Sequence, residues 1–165
     1  ITGAGHRIGR KLAIVYASLG ATVICWDINK ETNVQTMNKI KEMEKSSVHA
    51  YRCDVSDKNE VFKVVAKVKK EVGDVTILIN NAGIAPLRTL LNYDINEISR
   101  VVDVNLMAHC WASTMKTFLP NMIERNHGHV VAISSVTALH GIPHGTTYCT
   151  TKIAIRGNQI HFHYR

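Results

Sequence analysis

Tyr148 and Lys152 stand four residues apart in the run Y-C-T-T-K. On a helix that spacing places both on one face. An unperturbed phenol ionises near pH ~10, and a neighbouring ammonium favours the phenolate and lowers that value. A tyrosine so placed can exchange a proton with an alcohol or a carbonyl near neutral pH. The same pair also occurs as an ordinary surface pair, so its weight depends on company. Ser135 lies 13 residues before Tyr148 and could hydrogen-bond a substrate oxygen as charge develops on it. Alone, Ser134-Ser135 reads equally as a strand-end turn. Asn80-Asn81-Ala82-Gly83 follows an apolar run, at the place where ligands bind in doubly wound sheets. Asn105 falls within a predicted helix, where a buried amide needs partners whether its role is functional or structural.

A second set of residues could hold an anion. The chain opens T-G-A-G-H-R-I-G, Thr2 to Gly9, and then reads as a helix. Glycines let the backbone turn sharply and approach a pyrophosphate closely, and a helix N-terminus offers it free N–H groups. The spacing of Gly3, Gly5 and Gly9 is not G-x-G-x-x-G, and such a start alone can be a mere turn. Asp27 ends the next apolar run, 24 residues after Gly3. An acid there can take both hydroxyls of an adenosine ribose and would repel a 2′-phosphate; otherwise it is a cap or loop residue. The pairs His127/His129 and His161/His163 lack nearby acids in a defined geometry, and no metal is expected.

The elements that must position these residues follow from periodicity. Gly9 to Leu19 reads as a helix with Ile8, Leu12, Val15, Tyr16 and Leu19 along one side, ended by Gly20. Ala21–Trp26, Val48–Cys53, Val75–Ile79 and His129–Ile133 read as strands buried on both faces. Lys30–Lys45 is a helix with Val34, Met37, Ile40 and Met43 as its inner stripe. Ser56–Val72 is a helix capped by serine, with Val61, Val64, Val65 and Val68 inward. A long helix is predicted over Ile95–Asn121, and a last one begins near Thr147. Strands separated by crossover helices predict an α/β fold, a Rossmann-like doubly wound parallel sheet. Only Ile1 and Thr2 remain of a strand before the glycine turn, which in such a sheet lies at the centre.

Composition sets broad limits. At 165 residues the chain is the size of one domain. No apolar run reaches the ~18 residues that span a bilayer, and no signal peptide is visible. The chain opens on Ile1 rather than Met, so residues are expected upstream, where a membrane anchor could lie. The net charge of +7 comes from 20 Lys and Arg mixed with 13 acids along the chain. The densest cluster, Lys67, Lys69 and Lys70, is read as a solvated helix face, and no nucleic-acid partner is expected. Cys25, Cys53, Cys110 and Cys149 fit no disulfide or zinc template and are read as reduced thiols. No N-x-S/T sequon occurs, which agrees with a cytosol-facing chain.

Together these motifs resemble the short-chain dehydrogenase/reductase family over roughly residues 1–157. The glycine pattern T-G-x3-G-x-G is partly met at Thr2–Gly9, N-N-A-G is met at Asn80–Gly83, and the Asn, Ser, Tyr, Lys tetrad is met by Asn105, Ser135, Tyr148 and Lys152. W-D-I-N-K (Trp26–Lys30), K-K-E-V-G-D-V-T-I-L-I-N-N-A-G (Lys69–Gly83) and E-R-N-H-G-H-V-V (Glu124–Val131) are similar to the 16C branch, which acts on retinol and hydroxysteroids. The resemblance implies an NAD-dependent oxidoreductase moving a hydride between the nicotinamide and a lipophilic alcohol or carbonyl, a retinoid or steroid. It implies that Tyr148 is the acid/base and that Lys152 lowers its pKa and holds the nicotinamide ribose. Ser135 then positions the substrate oxygen, and Asn105 holds a water in the proton path. The cofactor would lie on Thr2, Gly3, Gly5, Ile8, Gly9 and Asp27, on Asp54 and Val55 at the adenine, and on Asn81, Ala82, Gly83, Tyr148 and Lys152. It further implies a homodimer and attachment to endoplasmic reticulum or lipid-droplet membrane, on the cytosolic face, through an N-terminal segment not present here. Without that anchor the chain would be cytoplasmic.

Three departures bear on that reading. Arg7 stands where the family has its second motif glycine. The first strand is cut short. After Gly157 the sequence N-Q-I-H-F-H-Y-R diverges, so residues 158–165 are a tail outside a partial domain of 1–157, and the last two strands of the fold are not reached. The alternative is a catalytically inactive truncated relative or pseudogene-like product.

Overall fold

The apolar runs of the sequence form short strands, and each pairs in parallel. The computed structural model describes residues 1–44, 46–112 and 117–161. Strand β1 (Val23–Asp27) pairs with β2 (Val48–Arg52), Val23 opposite Val48 and Asp27 opposite Arg52. Strand β3 (Ile77–Asn80) pairs with β4 (His129–Ala132), Ile77 opposite His129. Ile1 and Thr2 join the two pairs. The Trp26 N–H donates to Ile1 O at 2.9 Å, and the Thr2 N–H donates to Ile79 O at 3.0 Å. Thr2 also forms a parallel bridge with Trp26. The order is therefore β2, β1, the Ile1–Thr2 stub, β3, β4. Beyond the stub, β1 and β3 part around an apolar slot of about 340 Å³ walled by Ile24, Val75, Ile77 and Phe118.

Strand alternation builds a core on each face. Val23 and Cys25 pack with Ala13, Ala17 and Ile40 from helices α1 (Arg7–Ser18) and α2 (Lys30–Lys41). Trp26 points the other way, with Leu78, Phe118 and the predicted Val61, Val64, Val65 and Val68 of helix α3 (Lys58–Glu71). Fully burying one such valine contributes about 1.5–3 kcal/mol. The two-sided cover explains why the strands read as continuous apolar runs.

Several local expectations are corrected. On α1 the buried stripe is Gly9, Ala13 and Ala17, while Ile8, Val15 and Leu19 are exposed; small residues let this helix lie close against β1. On α2, Ile40 is buried as expected, but Asn33 and Thr36 replace most of the apolar stripe. The Asn33 Nδ2 donates to Cys25 O and Tyr51 O, and the Thr36 hydroxyl donates to Ala4 O. Polar side chains are buried there because each finds backbone carbonyls to bond, Asn33 tying α2 to β1 and β2 and Thr36 tying it to the glycine turn. The predicted end of α2 at Lys45 lies outside the described residues.

Helix α3 is capped by Asp57, which accepts from the Asn59 and Glu60 N–H groups; Ser56 instead turns back onto Asp54. The long predicted helix is divided. It runs as α4 (Ile95–Val102), a π-helical turn at Asp103–Met107, then α5 (Ala108–Ala112). The expected helix over 113–116 lies outside the described residues, and α6 (Leu119–Glu124) follows. Helix α7 (Thr146–His161) is the last described element and takes in the first half of the 158–165 tail; residues 162–165, His163 among them, lie outside the described residues. Among the described residues no helix is long and apolar enough to cross a membrane.

Candidate active site

The glycine turn is built so tightly that its glycines are required. Gly3 has φ +66°, the left-handed region that side chains disfavour. A Cβ on Gly9 would lie 2.0 Å from Gly3 O. Thr2 and Asn81 clamp the turn to the end of β3. The Thr2 hydroxyl accepts from the N–H groups of Asn81 and Ala82, both at 3.0 Å, and Asn81 Nδ2 donates to Thr2 O at 2.9 Å. Arg7 occupies φ +43°. That conformation costs an L-residue about 1–2 kcal/mol, which is the physical reason a glycine suits the position.

Above the turn lies a cleft of about 480 Å³, at the C-terminal ends of β1, β3 and β4. Gly3, Ile8 and Asp27 line one side of it, and Asp54 and Val55 its adjoining end. Asn81, Ala82 and Gly83 form the middle, with Tyr148 and Lys152 at the far end. Thr2, Gly5, Gly9, Asn105 and Ser135 do not line it; the first four lie behind its wall. Asp27 is buried, its Oδ2 accepting from the Gly5 N–H at 2.8 Å and its Oδ1 from the Asn29 N–H at 2.9 Å. Each oxygen keeps acceptor capacity. Asp54 Oδ1 takes the Ser56 N–H and hydroxyl.

Helix α7 brings Tyr148 and Lys152 onto one face, as the spacing predicts. Lys152 is 4% exposed. Its Nζ donates to Ile133 O at 2.7 Å and sits 5.8 Å from the Tyr148 ring centroid. Burial pushes the ammonium's pKa down. Ser134 donates to Lys152 O and ties β4 to α7. Ser135 Oγ accepts from the Thr137 N–H, which leaves its own O–H able to donate elsewhere.

Asn105 is fully buried in the π turn. Its Oδ1 accepts from the Ile84 N–H at 2.8 Å, and its Nδ2 donates to Ile84 O at 2.9 Å and to the Thr151 hydroxyl at 3.2 Å. The amide therefore pins the segment after Gly83 against α7. A π turn inside a helix is a frequent companion of functional sites.

Sequence reasoning missed Ile28, Arg100 and Val104, which wall the Asp27–Val55 end, and Ile133 and Ser134 at the Lys152 end. Arg100 and Val104 are one helical turn apart, a signal that could have been read as a second inward stripe. His109 was also missed: it is 3% exposed and its pKa falls to about 4, through burial first and the Lys152 charge second.

A parallel sheet with a glycine turn under its C-terminal edge, an acid ending the second strand position and a helix-borne Tyr/Lys pair defines a dinucleotide-binding α/β domain of the Rossmann class. The comparisons with known proteins narrow this. The family profile described as short chain dehydrogenase matches residues 1–159, and the chain belongs to the short-chain dehydrogenase/reductase family. It is 48% identical over 164 residues to bovine short-chain dehydrogenase/reductase family 16C member 6, covering 98% of this chain and 51% of that protein. Human epidermal retinol dehydrogenase 2 is 48% identical over 157 residues, covering 95% and 50%. Human 17-beta-hydroxysteroid dehydrogenase 13 is 41% identical over 157 residues, covering 95% and 51%. The chain thus spans about half the length of these relatives. Among solved structures, a short-chain dehydrogenase/reductase from Burkholderia phymatum in complex with NAD superposes with a TM-score of 0.91 at 28% identity, covering 98% of this chain and 57% of that one.

Proposed function

We propose that residues 1–157 are the cofactor-binding and catalytic part of an NAD-dependent dehydrogenase acting on a lipophilic alcohol, a retinoid or a hydroxysteroid, with residues 158–165 a divergent tail. The observation that carries this reading is the buried Lys152 ammonium beside the Tyr148 ring, in the same cleft as the buried Asp27 carboxylate.

The residues present fit a dinucleotide: Gly3 turns at φ +66° in the wall of the cleft, and Asp27, also in that wall, keeps acceptor capacity on both oxygens. Asp27 would take the adenosine ribose hydroxyls, and the Gly3–Gly9 turn with the α1 N-terminus would take the pyrophosphate. Asp54, Val55 and Val104 would border the adenine, and Ala82, Gly83, Tyr148 and Lys152 the nicotinamide ribose. Thr2, Gly5, Ile8, Gly9 and Asn81 shape that bed. Bound there, the nicotinamide supplies the hydride acceptor. The Tyr148 hydroxyl, with the Lys152 ammonium beside its ring, is the group that exchanges the proton with the alcohol. The Ser135 O–H donates to the substrate oxygen, and Asn105 acts as a positioning residue through Ile84 and Thr151.

Further parts of the reading rest on the resemblance to the 16C branch. They are a homodimer, no nucleic-acid partner, and attachment to the cytosolic face of endoplasmic reticulum or lipid-droplet membrane through a segment outside residues 1–165.

The second reading, a catalytically inactive relative, is favoured by Arg7 in the turn and by the slot between β1 and β3. The test uses a full-length chimera, residues 1–165 joined to the corresponding flanking segments of the bovine relative. Retinol and hydroxysteroid oxidation are followed with NAD⁺. Tyr148→Phe is expected to abolish turnover, a loss on the order of 10²-fold or more, while NAD⁺ binding persists. Unchanged turnover in that variant would show that the proton travels elsewhere.

A further inference from the structure

Arg100 lines the cleft, and the proposed chemistry leaves it unused. It stands on α4 and is exposed. Acids lie three residues away on either side, Glu97 and Asp103, at a spacing that pairs opposite charges on a helix. Glu97 is taken instead by Arg88, at 3.3 Å. Among the described residues no ion pair joins Arg100 to Asp103, or to the Asp54 that lines the same cleft. The guanidinium is left for something that enters the cleft.

Its neighbours say what that would be. Val104, one helical turn on, is buried and packs with Val55 in one apolar cluster, and both line the cleft together with Ile28. Side chains of a helix lean toward its N-terminus, so Arg100 stands over the turn before Val104, at the edge of this apolar floor. The floor suits a flat apolar face. The carboxylates of Asp27 and Asp54 line the same end of the cleft and disfavour an anion there. A planar guanidinium beside an apolar floor, with acids around it, suits the face of a neutral heteroaromatic ring, on which arginine stacks.

We propose that Arg100 is a base-binding residue: its guanidinium closes over the adenine of the dinucleotide, with Val55 and Val104 as the floor beneath the ring. It thereby strengthens the hold on the adenosine half of the cofactor and leaves the nicotinamide half untouched. The proposal rests on the dinucleotide reading and adds to it a determinant of base affinity on α4.

The test uses the full-length chimera and reads binding rather than turnover. Bound NADH is followed by its fluorescence, and adenosine, ADP-ribose and nicotinamide mononucleotide are titrated as competitors with the parent, Arg100→Met and Arg100→Lys. Arg100→Met keeps the length and the apolar stem and loses the charged plane. It is expected to weaken NADH, ADP-ribose and adenosine alike, by about two- to fivefold, the scale of an exposed cation–π contact, and to leave nicotinamide mononucleotide unchanged. Arg100→Lys keeps the charge without the plane and is expected to lose about half as much on a logarithmic scale. A thermal melt checks the fold of each variant; if Arg100→Met does not fold, the same comparison in Arg100→Lys decides. Parental adenosine affinity in the folded variants overturns the proposal. A loss confined to the phosphate-bearing ligands, nicotinamide mononucleotide included, also overturns it and assigns the guanidinium to a phosphate. A parent that binds no NADH overturns the dinucleotide reading and the role of Arg100 with it, whereas a parent that binds NADH with no response to Arg100 leaves that reading standing.

Discussion

Replacing Arg7 by glycine separates two opposite roles for that residue. Arg7 sits at φ +43° in the turn and its side chain lines the cleft. For binding to proceed past it, the long side chain must be confined to the few rotamers that leave the turn open. Confining an arginine costs about 1.5–2 kcal/mol, and about 1.4 kcal/mol is a factor of ten in affinity. Arg7→Gly in the full-length chimera is therefore expected to tighten NAD⁺ and NADH binding about tenfold. The stability change is expected to be small. Relief of the left-handed conformation, about 1–2 kcal/mol, is offset by glycine's extra unfolded-state freedom, about 0.5–1 kcal/mol. Arg7→Ala retains the strained φ and loses the long chain, so it should recover most of the tightening without the gain in stability. Isothermal titration calorimetry reads the affinities, and a thermal melt reads the stability. Weaker binding in both variants would refute the steric argument and assign Arg7 to an ion pair with the pyrophosphate, which an exposed guanidinium is suited to form.

Three more outcomes are expected. NAD(H) should bind more tightly than NADP(H), because the Asp27 carboxylate would face a 2′-phosphate; calorimetry with both cofactors checks this, and tighter NADP(H) binding removes Asp27 from its role. The folded-state pKa of His109 lies at about 4, below the ordinary 6.5, so the unfolded chain takes up a proton first as pH falls. Its contribution to stability is then present above pH 6.5 and lost from there down to about 4, at up to about 1.4 kcal/mol per pH unit; urea melts of the parent should show this slope, and His109→Gln should flatten it. Residues 1–165 expressed alone should show neither turnover nor a sharp melt, because backbone groups left unpaired along the slot cost about 1–3 kcal/mol each against a typical stability of ~5–15 kcal/mol; a soluble monomer with a cooperative transition and measurable oxidation would contradict this.

Much of the fold was legible because its strands are buried on both faces. Continuous apolar runs bounded by turns can only be strands of a covered parallel sheet or short buried helices, and the polar helical stretches between them settle the choice. The positions of Tyr148, Lys152 and Asp27 followed from the same logic, since a helix face and a strand end are periodic quantities. What failed was reading which side chains a helix buries. The sequence of α1 offers Ile8, Val15 and Leu19, yet the helix turns Gly9, Ala13 and Ala17 to the sheet. Apolarity does not decide there; the distance between helix axis and sheet does, and the glycine turn at the start of α1 brings the axis too close for large residues.

The same reasoning explains why the site was less legible than the fold. Asn33, Thr36 and Asn105 are polar residues with no apolar periodicity to mark them as inward, yet each is buried and bonded to backbone: Asn33 to Cys25 O, Thr36 to Ala4 O and Asn105 to Ile84 O. A sequence does not reveal where a ladder stops. It stops here at the Ile1–Thr2 stub, at the π turn of Asp103–Met107 and after Gly83, and those interruptions surround the cleft. The backbone gives up its regular pairing where a ligand needs room, and polar side chains then hold the loosened segments in place. Asn105 does this between Ile84 and Thr151, and Thr2 does it between the glycine turn and Asn81. His109 is buried in the same way, and its two ring nitrogens, like the Asn33 Oδ1, have no protein partner among the described residues.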